Sequence, residues 1–302
     1  MPSRKSQSGR KTSRPARRRK STPNSNSWKF LMAALLVVAI IFAVKACRSN
    51  DPELSPGHTD FPASSTSSSH INDLEIARYS DKNAARNAIQ KDYEGFTVSF
   101  NPQNGTADWV GWELLKEETD GSVKRSDNFW ADADVKGSPT PDDYRNSGYD
   151  KGHLCPAADQ KWSVKAMNDC FVMTNMTPQL HALNGGAWST LESKERLWAK
   201  RDSALVIVAG PIYTESDTKR IGKTGVRVPS AFFKVLLAPY VDEPRAIGFV
   251  YPNMTSPGNM QQYSMSVDEV EALTGLDFFA NLPDELENRI ERSASFTEWN
   301  RK

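Results

Sequence analysis

Phe30–Val44, "FLMAALLVVAIIFAV", is fifteen apolar residues without a break, and this run constrains the chain more than any other stretch. Trp28 and Lys29 precede it and Lys45 follows. As a helix, the nineteen residues from Trp28 to Ala46 span about 28 Å, close to the thickness of a bilayer core. The run divides the 302 residues into four parts: a basic tail at 1–28, a transmembrane anchor or signal segment at 29–47, a linker at 48–71 and a globular domain at 72–302.

The charge pattern gives the anchor a direction. Residues 1–29 hold ten Lys/Arg and no acid, which leaves 28 basic against 37 acidic residues, a balance near −9, for the remainder. Basic flanks stay on the cytoplasmic side, so residue 48 onward is expected across the membrane, in the periplasm or outside the cell. A cleaved signal peptide, a lipoprotein-type site at Cys47 and an organellar leader are the alternatives. The linker "RSNDPELSPGHTDFPASSTSSSH" has the composition of a flexible spacer. Of the three cysteines, Cys155 and Cys170 lie in the domain, where an extracytoplasmic location permits a bridge and two free buried thiols are the alternative.

From about Asn72 the pattern turns globular. Residues 96–102, 108–117, 170–176, 204–213, 231–239 and 245–253 are apolar or alternating, with β-branched and aromatic residues, and predict strands. "NPQNGTA" supplies an Asn-Gly turn between the first two. Helices are expected at 82–92, 187–202, 267–275 and 282–293, the third ending on Gly275. Strands grouped around a few helices, without regular alternation, predict an α+β fold.

Chemistry concentrates in "YDKGHLCPAAD" (149–159) and "TNMTPQLHALNGGAWSTLESKER" (174–196). His58 and His70 fall in the linker, which leaves His153 and His181 as the domain's histidines. Phosphate-cradling loops, dinucleotide fingerprints and serine elbows are absent, and His153, Cys155 and Cys170 lack the spacing of a zinc site. Glu192 and Arg196 are four apart on one helical face, where a surface ion pair is the plainest reading. A histidine followed by an amide and a carboxylate also suits phosphodiester hydrolysis with one hard, largely hydrated cation.

These residues carry a family resemblance. "DKGH" (150–153) resembles the Asp-Arg-Gly-His signature of the DNA/RNA non-specific endonucleases, with Lys151 where the signature has arginine. Asn175, Asn184, Glu192 and Arg196 follow in register, "KRSDNFWADADV" maps the family's basic residue to Arg125, and the likeness runs over about residues 72–300. The resemblance implies a ββα-metal nuclease fold with a central, mainly antiparallel sheet flanked by helices. It also implies DNA and RNA as substrates, 5′-phosphate products and Mg²⁺ (or Mn²⁺) as cofactor, with a homodimer left open. His153 would be the general base and Asn184 the direct metal ligand, while Glu192 would hold the cation's waters. Arg125, Lys151 and Arg196 would contact phosphate, and Asn175 would hold the site's geometry. Lys124, Lys161 and Lys194 complete the candidate basic groove, while His181 has no assigned role and reads as a surface or packing residue. The alternative is a catalytically weak, membrane-tethered nucleic-acid-binding module.

Overall fold

The computed structural model describes residues 73–80, 87–254 and 258–301; the apolar run at 30–44 lies outside them. No described helix is long and apolar enough to cross a membrane.

Nine strands place the site. They are β1 (Ile89–Tyr93), β2 (Phe96–Asn101), β3 (Thr106–Leu115), β4 (Asp150–His153), β5 (Met176–Gln179), β6 (Ala204–Ile212), β7 (Ala231–Ala238), β8 (Arg245–Pro252) and β9 (Ser264–Met265). Five helices accompany them: α1 (Val164–Asp169), α2 (Ser189–Asp202), α3 (Val267–Thr274), α4 (Asp284–Glu291) and α5 (Phe296–Trp299). Seven strands form one antiparallel sheet in the order β9-β8-β7-β6-β3-β2-β1, and β4 pairs with β5 as a separate two-stranded antiparallel sheet, a long-looped hairpin whose connection carries α1.

The sheet is covered on both faces, which is why its central strands read as near-continuous apolar runs. Alternate side chains feed two cores. Phe232, Leu236, Ile207 and Trp112 face the hairpin and α2, packing with Leu154, Leu183, Trp188 and Leu191. Phe233, Val235, Val208 and Val250 face α3 and α4, packing with Val267, Val270, Leu286 and Ile290. A Ser266–Glu269 capping box starts α3, and Gly275 in the left-handed region (φ 69°) ends it as expected.

Three expectations shift. Residues 89–92 of the expected first helix belong to β1, because they pair with β2 across a turn at Gly95 (φ 86°). The expected strand at 170–176 is broken by a 3-10 turn at Met173–Asn175: Val172 makes an isolated bridge to Trp130, and a strand begins at Met176. Cys155 and Cys170 are both buried and free, so the bridge does not form.

Candidate active site

The hairpin β4–β5, a wide π-type turn at Leu183–Trp188 and the helix α2 run in succession. Asp150 pairs with Gln179, Gly152 with Thr177 and His153 with Met176. A β-carbon on Gly152 would lie 2.1 Å from the Gln179 side-chain oxygen, so glycine there lets the hairpin close with Gln179 packed across it. His153 emerges at the strand's end.

The ring of His153 is buried, 8% exposed, and its Nε2 has no hydrogen-bond partner among the described residues. Phe171 packs edge-on at 4.9 Å between ring centroids and Phe129 at 5.7 Å. Each aromatic carries a cation on its other contacts: Arg125 sits 4.8 Å from the Phe171 centroid, and Lys151 sits 4.5 Å from that of Phe129. Arg125 arrives from a long irregular segment pinned to the core. Trp130 donates its backbone N–H to the Phe171 carbonyl (3.3 Å), and Met173 donates to the Trp130 carbonyl (2.8 Å). Burial, then the positive charges of Arg125 and Lys151, push the His153 imidazolium down to about 3. The imidazole is therefore neutral at neutral pH and can accept a proton.

Asn175 is fully buried beneath this strand. Its amide nitrogen donates to the carbonyls of Cys155 (2.9 Å) and Cys170 (2.8 Å), and its oxygen accepts from the Cys155 N–H (2.9 Å). It thereby fixes the backbone just past His153. Asn184 lies in the π-type turn, and its nitrogen donates to Asp150 Oδ2 at 2.9 Å. The same oxygen meets His181 Nδ1 at 2.8 Å. His181 is thus bonded to the signature aspartate, a link that its spacing of 31 residues hid from sequence reading.

The pairing of α2 also differs from expectation. Arg196 does not pair with Glu192; its Nη1 donates to Asp159 Oδ1 at 2.9 Å and its Nη2 to Ser193 Oγ at 3.2 Å. Asp159 is fully buried and takes a second bond from Trp112 Nε1 at 3.2 Å, so its hold on the guanidinium outcompetes a partly exposed glutamate. One turn beyond Glu192, Glu195 is fully buried against Lys234 of β7 at 2.9 Å. Asp159 and Lys234 are the residues that sequence reading missed, and Glu195 stood among its polar groups without a role. The available signal was a lone lysine inside the apolar strand "AFFKVLLA". Lys194 of the expected groove turns away, donating to Asn300 at 3.2 Å.

A divalent cation fits this donor set. With its nitrogen held by Asp150, Asn184 keeps its side-chain oxygen free, and Glu192 makes no hydrogen bond or ion pair among the described residues. These are hard oxygen donors, too few for an all-protein cage and suited to a cation that keeps its waters. Burial of much of the side chain pushes the Glu192 carboxyl up to about 7, opposed by the charge of Lys234.

A neutral histidine flanked by two cations, with oxygen donors on the following turn and helix, is suited to hydrolysing a phosphodiester. Residues 75–285 match the model of the DNA/RNA non-specific endonucleases, and the chain belongs to that family. It is 34% identical over 211 residues to a nuclease of Nostoc sp., covering 65% of this chain and 75% of that protein. It is 32% identical over 223 residues to the mitochondrial endonuclease G of Homo sapiens, covering 69% and 74%. The crystal structure of an EndoG/EndoGI complex, which concerns EndoG inhibition, superposes with a TM-score of 0.61 at 28% identity, covering 65% of this chain and 88% of that one. The chain is accordingly a DNA/RNA endonuclease with an EndoG-like fold.

Proposed function

We propose that this endonuclease is Mg²⁺-dependent and sugar-non-specific, cleaves DNA and RNA to 5′-phosphate and 3′-hydroxyl ends, and works outside the cytoplasm on a membrane anchor at 29–47. The observation that carries the chemistry is a neutral His153 ring packed between Phe129 and Phe171, with Arg125 and Lys151 held on those two aromatics. His153 takes a proton from the attacking water at the accessible edge of its ring, while its backbone carbonyl is tied to Trp188 Nε1 at 3.3 Å. Arg125 and Lys151, stacked on the aromatic pair, meet the phosphate from the same side and stabilise charge growing on it. Arg196, 21% exposed and braced by Asp159, presents its remaining edge to the phosphate. Asn184 through Oδ1, with Glu192 facing the ion's waters, would hold Mg²⁺ (or Mn²⁺), which when bound would neutralise charge on phosphate and leaving oxygen. Asp150 orients Asn184, and Asn175 orients the strand that bears His153.

The location rests on the basic tail and the apolar run. Purified protein should degrade plasmid and RNA with Mg²⁺, stop with EDTA, and leave ends that a kinase labels only after phosphatase treatment. Ends labelled without phosphatase would contradict the cleavage side. Protease added to the outer face of sealed membranes should digest the domain and spare residues 1–28; a protected domain would contradict the topology.

A further inference from the structure

Lys234 is the most heavily buried charge in the described sheet, with no exposed surface, on the inner strand β7 beside Ala209 and Phe249. Its alternation with Phe233 and Val235 points it to the face that carries the hairpin and α2. Nζ pairs with Glu195 Oε2 at 2.9 Å, both side chains being fully buried, while Glu195 Oε1 has no partner. Taking two charges out of water costs more than an apolar pair of the same volume would, so stability alone does not explain this pair. Its surroundings do. Nζ lies 4.7 Å from the ring of Trp188, whose Nε1 holds the His153 carbonyl. It lies 5.4 Å from the ring of Trp112, whose Nε1 holds Asp159 and through it Arg196. Glu195, one turn on from Glu192, fixes the rotation of α2.

We propose that Lys234 is a positioning residue of the nuclease site, a buried cation that locks the faces of α2, Trp188 and Trp112 so that Glu192, Arg196 and His153 converge. This rests on the site assignment made above. Glu195 is bonded to Lys234 at 2.9 Å with both side chains fully buried, so removing either leaves an unpaired buried charge. Without Lys234, α2 loses the contact that fixes its rotation against the sheet.

The test compares Lys234→Met, Glu195→Gln and the double variant in the full-length protein, with Val250→Ala in the opposite core as a control of comparable melting-temperature loss. Lys234→Met and Glu195→Gln should each lower kcat at least tenfold, with KM for plasmid DNA within twofold. The double variant should be no worse than the poorer single, because the pair acts as a unit. Mn²⁺ binding without nucleic acid, read from the free-ion EPR signal, should weaken at least threefold in both single variants, and Val250→Ala should change neither quantity. If Lys234→Met does not fold, Glu195→Gln decides the matter alone. A kcat within twofold of wild type with unchanged Mn²⁺ affinity overturns the proposal, as does a Val250→Ala that loses kcat equally. An active His153→Ala would instead overturn the site assignment, so the two failures are distinguishable.

Discussion

At His153 two demands meet. As the proposed base, the ring must be dry enough to stay neutral and still admit a water; Phe129 and Phe171 pack against it, and the 8% left exposed is where a water would enter. Asn175 holds the backbone behind it through three buried hydrogen bonds. Asn175→Ala leaves those groups without partners and should cost about 3 kcal/mol, seen as a lower urea midpoint with unchanged slope and at least a tenfold loss of activity; an unchanged midpoint would show that the bonds are replaceable. Lys151 tests charge against shape. It stands where the family signature has arginine and lies 4.5 Å from the Phe129 centroid. Lys151→Met should lower kcat/KM at least tenfold and Lys151→Arg should stay within threefold of wild type. Equal loss in both would mean that the pocket needs lysine's size rather than its charge. The site's residue types were legible in the sequence because a histidine, two amides, a glutamate and an arginine are more polar groups than a core needs. Their partners were not, since Arg196 reaches Asp159 across 37 residues and Lys234 reaches Glu195 across 39.

Among the elements, those that the sequence displays clearly are the ones with a long period or a strong cap. β6 and β7 are nine and eight buried residues in a row, and α3 carries its own capping box. β1 was misread because "IQKDY" is five residues with alternating burial, too short to separate period two from a helical turn, and it gains its identity from pairing with β2. The 3-10 turn at Met173–Asn175 was misread because its residues are all buried, and burial is the same signal in a strand. Between α3 and α4, Glu291 is 5% exposed with Oε1 unpartnered. Burial, then Glu271, Glu287, Asp268 and Asp277, push its carboxyl from 4.5 up to about 9. The folded protein then keeps a proton that the unfolded chain releases, so this group's contribution falls as pH rises from about 4.5 towards 9. Glu291→Gln mimics the protonated form. It should raise the melting temperature by about 3 °C or more at pH 8, with the gain disappearing near pH 4.5. A gain independent of pH would assign the effect to packing instead.

For the whole molecule, the sheet is a wall with two tasks. One face carries α3 and α4 as ordinary packing, and the other carries the hairpin and α2 with the chemistry. A remainder of about −9 is a poor general attractor for a polyanion, so the proposed function needs the few cations around His153 for binding. The logarithm of kcat/KM for plasmid should therefore fall against the logarithm of salt with a slope of about −3, as for three or four phosphate contacts. Removal of residues 1–28 should leave that slope unchanged if the tail sits across the membrane from the substrate. A shallower slope after the deletion would mean that the tail touches nucleic acid.

The proposed chemistry needs His153 as its base, which single-turnover cleavage of plasmid DNA in Mg²⁺ by wild type and His153→Ala, with EDTA as the blank, tests directly. The expected result is a loss of at least a thousandfold in His153→Ala, with retained binding and an unchanged melting profile. A variant that cleaves at the wild-type rate would place the base at another residue.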